Sequence, residues 1–176
     1  MNDNVTLNDP GNNQITLASG VYFVSGTLQV KGNNPYISAP GGVLFIMLNG
    51  ASFSMKGSGS FSLTGMSTVS SSQLPAILQP YASLLANMVF YDQSNSPVTI
   101  GGKSQITFDG DMYMPKASVT FQGNPSLNSS TCGNQLIASS IAFNGDPKMS
   151  FSNFDFNNSK CSAATKPLSE YVSLVQ

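Results

Sequence analysis

Apolar and polar residues alternate along most of this chain in short runs that end on glycine. The phrase apolar-x-apolar-x-Gly occurs nine times: Tyr22-Val24-Gly26, Leu28-Val30-Gly32, Ile46-Leu48-Gly50, Phe53-Met55-Gly57, Phe61-Leu63-Gly65, Val98-Ile100-Gly102, Ile106-Phe108-Gly110, Val119-Phe121-Gly123 and Ile141-Phe143-Gly145. Period two sets the apolar members on one face of a strand and the intervening Ser, Thr, Gln and Lys on the other. These runs predict half-buried strands, with Phe53, Phe61, Phe108, Phe121 and Phe143 on the inward phase. Glycine turns the backbone sharply without a Cβ penalty, so each run predicts a strand followed by a corner.

Steps from one corner glycine to the next are uneven, so a strict short-period solenoid code does not fit. Steps such as Gly26 to Gly32 or Gly57 to Gly65 are too short for a full hairpin but suit adjacent sides of one coil. The expected fold is therefore all-β, a right-handed parallel β-helix in which inward side chains form ladders. An antiparallel β-sandwich or jelly roll is the alternative, because many short strands with glycine turns suit it too. "SVTFQGNPSL" at 118–127 returns as "SIAFNGDPKM" at 140–149, with "VKGNNPYI" at 30–37 as a looser copy. The step from Phe121 to Phe143 is then one turn of the coil, and the two rings are expected to stack.

One stretch breaks the alternation. In "QLPAILQPYASLLANM", residues 73–88, the apolar positions take helical spacing, and Pro80 favours a helix that starts near Gln79. It reads as an excursion, spanning 66–88 with its preceding Ser-rich loop, packed on the coil. The tail "KPLSEYVSLVQ" has apolar residues at similar spacing, and residues 165–176 are expected to cap one end of the stack. "NVTLNDPGN" is expected to form part of the other end.

A chain of 176 residues is long enough for one domain with its own core, so residues 1–176 read as a single β-helical domain, taken as a fragment of a longer exported protein. Seven basic residues, all Lys, face eight acidic ones, for a net charge of -1. That balance argues against a nucleic-acid binder, which needs clustered Lys and Arg. Hydrophobic residues make up 40%, so low charge does not signal disorder. The longest apolar run, Val43 to Leu48, is far short of the roughly 20 residues of a membrane span. No membrane span is expected here.

Candidate chemistry is sparse. His, Arg and Trp are absent, which removes the commonest general base and the bidentate anion clamp and weighs against an enzyme. Asp109, Asp111 and the upstream Asp92 form the only acidic concentration, a candidate calcium or glycan site. The competing reading is corner carboxylates in Asx-type turns, since Gly110 should splay Asp109 from Asp111. "GGKS", Gly101 to Ser104, shares its ending with phosphate-binding loops, but Pro97 stands where the first glycine should be, so no cofactor is expected. Cys132 and Cys161 lack further ligands for zinc. A disulfide between them is the favoured reading, worth roughly 3.5 kcal/mol by loop entropy; two buried free thiols are the alternative. "NVT" and "NSS" fit the glycosylation sequon, a short pattern that recurs by chance. Ice or crystal-face binding would need regular Thr ladders, and Thr is scattered here.

Five phrases, "GVYFVSG", "GGVLFIMLNG", "MVFYDQSNS", "GDMYMPKASVTFQGN" and "CGNQLIASSIAFNG", come in the order and close to the form of one family's C-terminal region. Over residues 20–145 the chain resembles TadG-like proteins of the bacterial tight-adherence (Flp pilus) machinery, with Tyr113, Pro115 and the "LIA" after Cys132 as the most specific matches. Residues 73–87 are longer than the family's usual connection. The resemblance implies an extracytoplasmic, non-enzymatic part of a pilus or adhesion system, preceded in the family by a membrane helix. It implies partners among other pilus or cell-envelope proteins, or surface glycans, and supplies no catalytic residues.

Overall fold

The computed structural model describes residues 5–8, 14–31, 35–48, 50–56, 58–128 and 135–150. Cys132, Cys161 and the tail at 165–176 lie outside the described residues. Among the described residues fourteen strands follow one another: β1 Val5–Asn8, β2 Gln14–Thr16, β3 Gly20–Val24, β4 Thr27–Lys31, β5 Tyr36–Met47, β6 Ser52–Met55, β7 Ser60–Gly65, β8 Met88–Asp92, β9 Val98–Gly102, β10 Gln105–Asp109, β11 Asp111–Gly123, β12 Ser126–Asn128, β13 Leu136–Gly145 and β14 Lys148–Ser150. Every pairing among them is parallel. The chain is a parallel β-solenoid of about 5 turns, and the sandwich alternative falls away.

The registers resolve three sides. On the first face, β1, β4, β6, β9 and the last parts of β11 and β13 stack, so that Val5, Leu28, Phe53, Val98, Val119 and Ile141 form one column. On the second, β2, the first part of β5, then β7, β10, β12 and β14 stack, aligning Ile15, Ile37, Phe61, Ile106, Leu127 and Met149. The third carries β3, the second part of β5, β8 and the first parts of β11 and β13, aligning Tyr22, Phe45, Phe90, Met112 and Leu136. Strands β5 and β11 turn a corner without ending, and the register shifts there, between Ala39 and Val43 and between Met114 and Ser118. Glycine therefore marks only some of the corners, which is why the glycine steps look uneven although the turn itself is regular: Val98 to Val119 to Ile141. The one long step, Phe53 to Val98, contains the excursion at 66–87.

Inside the coil the columns meet as an apolar core that includes Leu28, Val30, Ile37, Phe53, Met55, Phe61, Leu63, Phe90, Ile100, Ile106, Phe108 and Phe121, all nearly inaccessible. Phe90 is the hub. Its ring stacks on Phe45 at 5.2 Å, tilts against Phe53 at 5.0 Å and meets Phe108 edge-on at 6.0 Å. Phe121 and Phe143 are paired in register, and their rings stack at 5.5 Å with an interplanar angle of 17°. Phe143 is nonetheless 52% exposed, because no described strand stacks beyond β13. The expectation of an inward ladder holds for the pair, while burial holds for Phe121 alone.

The repeated "GNP" and "GDP" phrases are one corner stacked on itself. Gly102, Gly123 and Gly145 align and all take positive φ, at 81°, 76° and 126°. The N–H of Asn124 donates to the Gly102 carbonyl at 2.9 Å and that of Asp146 to the Gly123 carbonyl at 3.0 Å. A Cβ on Gly123 would press into the Gly102 carbonyl, and one on Gly145 into that of Gly123, so the column needs glycine for space as well as for φ. After each glycine corner the second face begins with a further backbone bond, from Lys148 N–H to the Pro125 carbonyl and from Ser126 N–H to that of Ser104, both at 2.8 Å. Pro35 takes the place of Pro125 three rungs earlier, its carbonyl accepting from Ser60 N–H at 2.7 Å.

One expectation needs correcting. In the Ile46-Leu48 run the inward residues are Phe45 and Met47, whereas Ile46 points outward and Leu48 is 41% exposed. The run "VLFIM" is apolar on both phases because both faces of β5 are covered there, so alternation could not fix its phase. Val5–Asn8 of "NVTLNDPGN" form β1, the first rung of the first face, which places them at the end of the stack as expected.

Candidate interaction face

The excursion packs on the outer side of the third face. It contains a 3-10 turn at Ser71–Gln73 and a 3-10 helix at Gln79–Leu84 that opens with Pro80. The start at Gln79 is as expected, but six residues with Pro at the entry propagate as 3-10 rather than α. Ser70 caps the first turn, accepting from Ser72 N–H, while Gln73 Oε1 accepts from Ser70 N–H at 3.1 Å. Met66, Val69, Leu74 and Leu85 bury themselves against Leu44 and Ile46 of β5, making a second apolar cluster outside the coil.

The chain leaves and rejoins the coil through one tight corner. Asn87 takes φ 63°, its N–H donates to the Met66 carbonyl at 2.7 Å, and its carbonyl accepts from Asp111 N–H at 2.8 Å. Gly65 and Gly110 flank it so closely that a Cβ on either would overlap the Asn87 carbonyl. That is what Gly110 does between the two aspartates.

The outward residues differ sharply among faces. On the first, Gln29, Ser54, Thr99 and Thr120 align, with Ser52 donating to Thr27 at 3.1 Å and Ser140 to Ser118 at 3.0 Å. On the second, Ser60, Gln105, Ser126 and Lys148 align, and Gln14 donates to Ser38 at 3.0 Å. Both are mostly uncharged polar surfaces, with isolated lysines and, on the second, Asp109. The third face instead aligns Phe23, Ile46, Tyr91, Tyr113 and Ile137. Tyr91 and Tyr113 stack at 5.8 Å and 13°, both half-buried, and the Tyr91 hydroxyl is held by Gln93 Nε2. Phe23 and Leu48, with Ser72, Gln73, Leu74 and Pro75, line a shallow apolar groove of about 360 Å³. On the excursion itself Ile77, Tyr81 and Leu84 stand 79%, 53% and 66% exposed.

The acidic residues do not converge. Asp111 stands opposite Met88 at the start of β8, and Asp92 ends that strand, four residues or roughly 13 Å away at strand rise. Asp92 is fully buried and Asp109 belongs to the second face. Asp111 Oδ1 accepts from Gln135 N–H at 2.9 Å. Burial raises the Asp111 pKa above the ordinary carboxylate value, with that hydrogen bond pulling the other way. Asp92 Oδ1 accepts from Ser94 N–H at 2.7 Å, which is the Asx-type turn expected of a corner carboxylate. Among the described residues no three His, Cys, Asp or Glu side chains are placed to hold a metal ion. "GGKS" is a coil corner: Ser104 is fully buried and its hydroxyl donates to the Gly101 carbonyl at 2.6 Å.

No family model, no curated protein and no solved structure matches the chain. No described helix is long and apolar enough to cross a membrane. The apolar third face was not singled out from sequence. Its signal was available in "FIM" and "VFY", where apolar residues fill both phases of a strand.

Proposed function

We propose that this chain is a non-enzymatic structural and interaction module of a bacterial cell-surface or pilus-associated protein, acting outside the cytoplasm as a spacer or adhesion surface. One observation carries the reading: two faces of the coil present uncharged Ser, Thr and Gln, while the third gathers Phe23, Leu48, Ile77, Tyr81 and Leu84 at its surface. A stacked coil whose backbone bonds run from rung to rung is stiff, which suits a part that holds a contact surface at a distance. Large exposed apolar side chains gathered on one side are the usual mark of a contact surface. The likeness to TadG-like proteins supplies the setting, in which other envelope proteins or surface glycans are the partners.

The test replaces the gene in its host by a variant carrying Ile77→Glu, Tyr81→Glu and Leu84→Glu. All three side chains face solvent, so the fold should persist. Surface attachment of cells is expected to drop at least tenfold at an unchanged amount of exported protein. A control with Thr99→Glu and Thr120→Glu on the first face should attach normally. Attachment that is the same in all three strains would overturn the reading.

A further inference from the structure

Asp92 is the one described acidic side chain in the inward stack. It ends β8 in the column that holds Val24 and Met47, and β11 continues past the Tyr91–Tyr113 pair to bring the buried Met114 to the next rung. Its side chain is 0% exposed. One oxygen accepts from Ser94 N–H; the other, Oδ2, has no hydrogen-bond partner. An ionised carboxylate with an unsatisfied oxygen in an apolar column is costly, whereas a neutral carboxylic acid is far less so. The corner it controls is tied to the rung below by Ser94, whose hydroxyl donates to the Ala51 carbonyl at 3.3 Å and accepts from Ser96 N–H at 3.2 Å.

Among the described residues packed around it, no charge stands ready to compensate. β5 carries no Asp, Glu or Lys, and neither do the adjoining segments Leu48–Ala51 and Gln93–Pro97. From β11, Lys116 is exposed and Asp111 lies at the far end of β8; Tyr91 and Tyr113 sit on the outward phase.

We propose that Asp92 is a proton-operated latch: as a carboxylic acid it seats in the column and holds the Asp92–Ser96 corner closed, and as a carboxylate it loosens that corner and the Ser94–Ala51 tie. Desolvation raises its pKa above the ordinary carboxylate value, more than hydrogen bonding from Ser94 lowers it. For a carboxyl raised on folding, the native state binds more protons than the unfolded chain. Stability is therefore greatest below the unfolded-chain carboxylate value and is lost as pH rises through the raised one. The corner lies at the end of the strand that carries Tyr91, so its loosening would be felt on the third face.

The experiment follows the Asp92 carboxyl carbon by NMR across a pH series in the full chain, with urea unfolding of wild type and Asp92→Asn at each pH. The expected midpoint lies above the ordinary carboxylate range. Relative to the variant, the wild-type unfolding constant should rise about tenfold per pH unit between the two carboxyl pKa values. Amide exchange at Gln93 to Ser96 should quicken over the same window. An Asp92 midpoint at or below the ordinary carboxylate value, or pH profiles that superimpose for wild type and variant, would overturn the latch. Should Asp92→Asn fail to fold, the wild-type titration alone decides.

Discussion

Truncating Phe90 to Ala probes the centre of the coil. The side chain is 1% exposed and touches rings from three sides of the stack, Phe45 below it on its own face, Phe53 from the first face and Phe108 from the second. Loss of a buried Phe side chain with its cavity costs about 3–5 kcal/mol, and aromatic pairs add about 0.5–1.5 kcal/mol beyond their area. Three ring partners place Phe90→Ala at the upper end, about 5 kcal/mol. Phe143→Ala serves as the internal control: the same chemical change, one ring partner and half the side chain already in water, for an expected cost of about 1 kcal/mol. Urea unfolding followed by far-UV circular dichroism reads both. With a slope of about 2 kcal/mol per molar, the midpoint should fall by about 2.5 M for Phe90→Ala and about 0.5 M for Phe143→Ala. Equal shifts for the two variants, or a loss under about 1 kcal/mol at Phe90, would refute the three-sided packing.

Gly123→Ala should destabilise by about 2 kcal/mol or more, since the new Cβ meets the Gly102 carbonyl at 2.9 Å and φ is 76°; thermal unfolding gives the value. Asn87→Gly should be neutral within about 0.5 kcal/mol because φ is 63° there, whereas Asn87→Val should cost about 1–2 kcal/mol, both read by the same melt. Asp111→Asn should flatten part of the loss of stability with rising pH, because burial raises the native pKa and makes its contribution greatest in acid. Urea midpoints measured from acid to neutral pH would show a slope unchanged from wild type if this is wrong.

Much of the coil was legible because its rules are local. Period two and glycine located Phe53, Phe61, Ile106 and Val119 on the correct phase, and the 118–127 and 140–149 phrases gave the length of a turn through Phe121 and Phe143. What local pattern could not reveal is which strands have both sides covered. At Phe45-Ile46-Met47 the excursion buries the outer phase, so alternation loses its meaning there and Ile46 was assigned inward. The third face went unread for the same reason, because its outward column is assembled from single residues of five strands that are far apart in sequence. The aspartates were misleading in the opposite way. Asp109 and Asp111 are near neighbours in sequence, but Gly110 turns the chain from the second face to the third between them, and Asp92 follows the inward phase set by Phe90. Their Asx-turn and burial roles come from corners, which no spacing rule for metal or acid-base pairs describes.

The stacking order itself is open to direct measurement. Spin labels placed one pair at a time on the outward column of the first face, Gln29, Ser54, Thr99 and Thr120, sample rungs that lie about 4.8 Å apart in a parallel ladder. Separations from Thr120 should grow in even steps, roughly 5 Å to Thr99, 10 Å to Ser54 and 14 Å to Gln29. Distances that fail to increase in that order, or a Gln29 label as near to Thr120 as the Thr99 label, would contradict the coil and with it the face on which the proposed function rests.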